Sequence, residues 1–260
     1  MRVVSGAARC AARCDAPVLL TGERGVGKQL VARLVHAFSD RRAASFIPVN
    51  CARASEAVLE CALFGPDRHT DTAPLHAALF EPDRGTVFLR EVGALSQKLQ
   101  AMLMRVLDQS TLERAGSPSV AARGSVRVIS AATRPLAAQV ADAIFREDLY
   151  YRLNVIHIEI PPLRERVEDV EPLLEYFLDG FARQRDVQTP LLCSDAIEPL
   201  VRYNWPGNVR ELRNVAERLV VHHHAVVTAD IVRLVLTQTA PLPARIFPPA
   251  HRRIAKVIEH

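Results

Sequence analysis

The sequence predicts an α/β fold, a parallel sheet with helices on both faces, followed by a small all-helical domain. Three observations carry this reading. A glycine-rich loop ending in lysine, Thr21-Gly22-Glu23-Arg24-Gly25-Val26-Gly27-Lys28-Gln29, stands between an apolar run and a helical pattern. Short β-branched runs then alternate with helical spacing as far as residue 160, the alternation of strands and crossover helices from which parallel sheets are made. After Pro161-Pro162 these runs stop and only helical spacing continues.

The first strand is read over 18–20, from Ala16-Pro17-Val18-Leu19-Leu20, and the helix after the loop from Leu30-Val31-Ala32-Arg33-Leu34-Val35-His36. Strand, glycine loop, lysine and helix form the layout of a phosphate-binding P-loop. The glycines let backbone N–H groups turn toward phosphate oxygens, and the helix N-terminus adds the positive end of its dipole. ATP or ADP is therefore expected on Gly22, Glu23, Arg24, Gly25, Val26, Gly27, Lys28 and Gln29, with Lys28 reaching the terminal phosphates. Gln29 stands where Ser or Thr usually follows the lysine.

Further strands are expected over 46–49, 87–89, 126–129 and 155–160. A helix over 95–107 is read from Leu95, Leu99, Met102, Leu103 and Val106. The run Gly85-Thr86-Val87-Phe88-Leu89-Arg90-Glu91 matters most. The usual partner strand of a P-loop ends in Asp-Glu, and here the first acid is Arg90. A carboxylate such as Glu91, placed after a buried strand, can orient an attacking water. A guanidinium beside a dication is unfavourable, because Mg²⁺ takes oxygen ligands. Arg90 could instead touch phosphate, or pair with Glu91 and disable it. Nucleotide binding is expected, while hydrolysis and a role for Mg²⁺ are left open; no protein metal ligand is assigned.

In the second half, helices are expected over 170–181, 194–203 and 209–221, with Trp205-Pro206-Gly207 as a turn and Asn208 as the N-cap. Thr228-Ala229-Asp230 opens one more. The expected organisation is an α/β domain over 1–162, a helical domain over 163–240 and a proline-rich tail over 241–260 containing Arg252-Arg253-Ile254-Ala255-Lys256.

The totals agree with a soluble globular protein. Of 260 residues 49% are hydrophobic and 24% charged. No apolar run approaches the roughly 20 residues of a membrane span, and Met1-Arg2-Val3-Val4-Ser5-Gly6-Ala7-Ala8 lacks a secretion signal. Five scattered cysteines fit reduced thiols and a cytoplasmic setting. Cys10 and Cys14 could share a helix face, and free thiols are the favoured reading. His69 with His76, and His222-His223-His224, are read as solvated side chains rather than metal sites. The net charge of +4 does not by itself indicate nucleic acid.

Several phrases together resemble the central AAA+ domain of bacterial enhancer-binding proteins, the activators of sigma-54 RNA polymerase. They are the loop from Gly22 to Arg33, then Pro48-Val49-Asn50-Cys51-Ala52, Leu63-Phe64-Gly65 and Phe145-Arg146-Glu147-Asp148-Leu149-Tyr150-Tyr151-Arg152-Leu153-Asn154-Val155. Pro161-Pro162-Leu163-Arg164-Glu165-Arg166 and Trp205-Pro206-Gly207-Asn208-Val209-Arg210-Glu211-Leu212 complete the set, which runs from about residue 17 to 235.

The resemblance implies roles that the residues alone do not. Arg146 and Arg152 match the arginine fingers that reach a neighbouring subunit's nucleotide; by themselves they read as helix-surface arginines in ion pairs. Arg210 matches the sensor arginine of the helical lid, otherwise an ordinary helix charge. Thr133 matches the polar sensor at a strand end, otherwise a turn cap before Pro135. Asn50 matches the switch residue that holds the catalytic Glu, here Glu91, away from water. Partners implied are the same or paralogous AAA+ subunits in a ring, and sigma-54 RNA polymerase through a partner.

The chain also departs from the family. Arg90 replaces the metal-supporting acid. Leu63-Phe64-Gly65 is followed by Pro66-Asp67-Arg68-His69-Thr70-Asp71 rather than by the Gly-Ala-Phe-Thr-Gly-Ala loop that contacts sigma-54. The residue after the P-loop lysine is commonly acidic in the family, so Gln29 departs mildly. No helix-turn-helix is read after residue 240 and no receiver domain before residue 16. The expected function is a nucleotide-binding regulatory or partner-dependent member acting in transcription. The alternative is an active ring ATPase that remodels sigma-54 polymerase.

Overall fold

The computed structural model of the protein describes residues 1–65, 85–114, 126–222 and 225–239. The contact-loop region over 66–84, His69 and His76 within it, His223 with His224, and the tail beyond 239 lie outside the described residues.

Five strands form one parallel sheet in the order β2-β3-β4-β1-β5: β1 Val18–Thr21, β2 Phe46–Asn50, β3 Thr86–Arg90, β4 Arg127–Ala132 and β5 Ile156–Glu159. They are short, apolar and β-branched, as strands buried on both faces must be. Side-chain alternation sorts them between two cores. Val18, Leu20, Phe88, Ile129, Ala131 and Ile158 pack under α1 (Arg2–Ala12) and α2 (Lys28–Ala37). Leu19, Val49, Val87, Leu89, Val128 and Ala132 pack under α3 (Glu56–Phe64), α4 (Gln97–Arg114), α5 (Leu136–Ala141) and α6 (Glu147–Leu153).

The chain leaves β1 into a helix on one face, and leaves β4 into helices on the other. A crevice must therefore open between these adjacent strands at their C-terminal ends. The P-loop lies at that place.

Beyond Pro161-Pro162 a separate core gathers Leu174, Leu178, Trp205, Leu212, Val215, Leu219 and Val232. They come from α7 (Val170–Arg185), α8 (Ile197–Arg202), α9 (Asn208–Val221) and α10 (Ala229–Thr239). Trp205 is fully buried and its Nε1 donates to the Leu200 carbonyl at 2.8 Å.

The structure corrects four expectations. Strands do not vanish after residue 162: β6 (Leu191–Leu192) and β7 (Val226–Val227) form a two-residue parallel pair, too short to register as a period in the sequence. The segment 194–203 divides into a 3-10 turn, Ser194–Ala196, and α8. Asn208 does not cap α9; Gly207 stands at the cap, and Asn208 takes φ 52° as the first helical residue. Capping falls to Glu211, which accepts from the Gly207 N–H at 2.7 Å while Tyr203 Oη donates to it at 2.9 Å. Cys10 and Cys14 do not share a helix, since α1 ends at Ala12; all five cysteines are free thiols.

Trp205→Ala is expected to remove about 3–5 kcal/mol of stability by leaving a large cavity and an unpaired carbonyl. Urea unfolding followed by circular dichroism measures it, and a loss below about 1 kcal/mol would contradict the packing described.

Candidate nucleotide site

Gly22, Gly25 and Gly27 take φ values of 141°, 82° and 106°, a path open to glycine and strained for other residues. Space confirms the need at two of them. A Cβ on Gly22 would meet the Ile160 carbonyl oxygen at 2.5 Å, and one on Gly25 would overlap the Gly207 carbonyl of the turn before α9. The loop is thus pressed between the sheet and the helical region.

Lys28 opens α2 from this loop. Its ammonium donates to the Gly22 carbonyl at 2.6 Å, to the Glu23 carbonyl at 3.1 Å and to Thr133 Oγ1 at 2.9 Å. Burial pushes its pKa down; the Glu91 carboxylate opposes this, and the Arg210 and Arg24 charges add to it. Thr133 relays the contact onward. Its hydroxyl donates to Glu91 Oε1 at 2.6 Å and its N–H to Oε2 at 3.2 Å. Glu91 lies 4.0 Å from the ammonium and sits in the left-handed region, φ 55°. That turn swings its side chain sideways from β3 toward the end of β4. Lys28, Thr133 and Glu91 therefore form one hydrogen-bonded unit at the mouth between β1 and β4, where a cleft of about 340 Å³ continues along Thr21, Tyr150, Asn154 and His157.

The other residues singled out in the sequence are placed differently. Asn50 does not hold Glu91: its Oδ1 accepts from the Ala52 N–H at 3.2 Å, and Thr133 holds the carboxylate instead. Arg90 forms no ion pair with Glu91 among the described residues, because the two side chains leave the strand end in different directions. Arg90 shares its face of β3 with Phe88, which packs in the core under α2. Arg210 stands near the site on the first turn of α9, exposed, with its Cβ against Gly25. Arg146 precedes α6, and its guanidinium grips Asp148 through two bonds of 3.0 and 2.6 Å. Arg152 is more tucked in, donating to the Leu107 carbonyl at 3.0 Å and lying 3.5 Å from Asp108. Within this chain both are held by groups on α6 and α4.

Three residues at the site carry contacts that motif reading did not assign. Arg164 makes a two-bond ion pair with Glu23 of the loop, at 3.0 and 2.6 Å. Arg166, 3% exposed, donates to the Val26 carbonyl at 2.9 Å. Asn208, fully buried, donates to Glu23 Oε2 and to the Arg24 carbonyl, each at 3.0 Å, and accepts from the Leu163 N–H at 2.7 Å. The signal available in the sequence was the charge of Glu23 within the loop, with its complementary arginine, Arg164, more than a hundred residues away.

A loop of this shape can wrap an anion, and the buried ammonium can meet its charge. The donor set does not fit a protein-bound Mg²⁺. The two positions that flank such an ion carry a neutral amide, Gln29, and a cation, Arg90, and Glu91 is already engaged by Thr133 and Lys28.

The sigma-54 interaction domain family matches residues 1–159, and the AAA+ ATPase lid domain family matches residues 164–243. This chain belongs to the sigma-54 interaction domain family. Its relatives include the nitrogen fixation protein AnfA of Azotobacter vinelandii, 46% identical over 213 residues, which are 81% of this chain and 40% of that protein. The Nif-specific regulatory protein of the same organism is 41% identical over 251 residues, 94% of this chain and 48% of that protein. The transcriptional regulatory protein ZraR of Klebsiella oxytoca is 41% identical over 224 residues, 85% of this chain and 50% of that protein. The chain thus spans about half, or less, of the length of these relatives. Among solved structures, NtrX from Brucella abortus superposes with a TM-score of 0.78 at 32% identity, covering 94% of this chain and 54% of that one. NtrX in complex with ATP gives 0.76 at 31% identity, with 93% and 56% covered. The family resemblance, the parallel α/β fold and the helical lid expected from the sequence all hold. Among the described residues no helix is long and apolar enough to cross a membrane.

Arg164 and Asn208 hold the Glu23 carboxyl at about 2, below its usual 4.5. The folded value is the lower one, so the contact stabilises the fold above pH 4.5 and is lost as pH falls from 4.5 toward 2. The paired side chains are 41% and 43% exposed, so solvent screening keeps the contribution small. Glu23→Gln is expected to flatten this acid limb, measured as melting temperature against pH for both proteins. Identical limbs would contradict the pairing.

Proposed function

We propose that the chain binds ATP or ADP through residues 22–29 and serves as a nucleotide-binding AAA+ subunit, dependent on a partner, in regulation of sigma-54 transcription. The observation that carries this reading is the Lys28 ammonium, held by two loop carbonyls and Thr133 at the crevice between β1 and β4. Solved structures of NtrX in complex with ADP and with ATP support the nucleotide. The two domains meet at Pro161-Pro162, the second acting as a lid that touches nucleotide through Arg210. The setting is the cytoplasm, and the protein assembles with itself or with paralogous subunits.

Turnover by the chain alone is weak in this reading. Arg90 supplies positive charge where an acid would support a metal, and a dication has no protein carboxylate free to receive it. Arg146 is the better-placed finger. Its guanidinium is solvent-facing and tied to a single exposed carboxylate, so it can reach across to a neighbour's γ-phosphate and stabilise charge there. A mixed ring thus lets this subunit complete another's site. The intact Thr133–Glu91 bond favours the second reading, an active ring ATPase that remodels sigma-54 polymerase, because it keeps a positioned carboxylate at the crevice.

Lys28→Ala is expected to abolish nucleotide binding while the circular dichroism spectrum is retained; calorimetric titration decides it. Wild-type turnover is expected well below about 1 per second, and Arg90→Asp is expected to raise it in assembled subunits. Steady-state phosphate release at wild-type rates typical of ATPases would favour the second reading. As sole activator the chain is expected to form no open complexes on a sigma-54 promoter, since residues 66–79 lack the contact sequence; nucleotide-dependent promoter melting in that mixture would overturn the proposal.

A further inference from the structure

We infer that the nucleotide taken by this site is the metal-free polyphosphate rather than its Mg²⁺ complex, with Arg90 as a direct phosphate ligand. The inference rests on the nucleotide-binding reading above. Its grounds are the charge and placement of the residues around Lys28. Strand alternation puts Arg90 on the face of the sheet that α2 covers, the side on which the P-loop wraps. Arg90 pairs in register with Ala131 of β4, and Ala131 with Leu20 of β1, the residue before Thr21 and the loop. Arg90 thus stands two strand spacings, about 10 Å, from the start of the loop. An arginine side chain together with a phosphate chain spans that gap.

The neighbourhood is cationic. Arg24 and Arg210 act electrostatically on Lys28, Arg90 faces the same side, and Glu91 supplies the opposing charge. Glu23, the carboxylate of the loop, is neutralised by Arg164. The two positions that would flank a metal or its water shell carry Gln29 and Arg90, neither of them a carboxylate. A guanidinium offers planar, permanently charged donors suited to phosphate oxygens. It supplies the positive charge that the metal would otherwise bring, and it repels a dication arriving with the nucleotide. ATP without metal carries more negative charge than its Mg²⁺ complex, and this site is built to meet it.

The test is calorimetric titration of the purified chain with ATP in excess EDTA and again in millimolar Mg²⁺, with thermal unfolding to confirm that each variant is folded. The expected result is binding about tenfold tighter in EDTA. Arg90→Asp is expected to invert the preference, and Arg90→Gln, a milder change that keeps the fold if the first does not, to lose the advantage in EDTA. Tighter binding by the wild type in Mg²⁺ would overturn the inference and leave the nucleotide site standing. Equal binding in both buffers, unchanged in Arg90→Gln, would also overturn it. Absence of binding in either buffer would instead remove the nucleotide-binding reading on which the inference stands.

Discussion

The buried amide of Asn208 is the contact on which the arrangement of the site depends. All three of its hydrogen bonds run to backbone or carboxylate groups outside its own helix: Leu163 at the start of the helical region, and Glu23 with Arg24 in the loop. A fully buried amide is costly unless its donors and acceptor are satisfied. Here they are satisfied only if the loop, the Pro161-Pro162 connection and α9 stand in one arrangement. The positive φ of Asn208 follows, because an ordinary helical start would turn the amide away from the loop. The approach of Gly207 to Gly25, which leaves no room for a side chain, follows as well.

From that anchor the charges fall into place. Arg164 closes on the same carboxylate that Asn208 holds, and Arg166 reaches the Val26 carbonyl from within the protein. Loop and helical region are joined by these paired groups, whereas Arg210 on α9 stands exposed beside the loop. Movement of α9 relative to the sheet therefore moves Arg210 and strains the Glu23 contacts together.

Arg146 and Arg152 obey a different constraint. Arg146 is placed by its backbone N–H, which donates to Gln100 Oε1 at 2.8 Å, and by the two-bond grip on Asp148. Its charge is thereby raised onto the surface rather than folded into the crevice of its own chain. Arg152, further along α6, is held down against α4 by Leu107 and Asp108. Two arginines six residues apart thus have unequal freedom, a difference that sequence spacing does not contain.

The sequence by itself determined the alternation of strands and helices, the loop with its lysine, the change from sheet to helices at Pro161-Pro162 and the family to which the chain belongs. These are local: hydrophobic period, glycine spacing and contiguous phrases survive without knowledge of what lies opposite. The tertiary structure decided which groups meet. It assigned Glu91 to Thr133 rather than Asn50, gave Glu211 the capping role expected of Asn208, and joined Glu23 to an arginine 141 positions away. It also revealed the two-residue pairing of β6 with β7, which no period could announce. Such choices depend on side-chain direction at strand ends and on close approach of distant backbones, and both are fixed only once the sheet and the helices have packed.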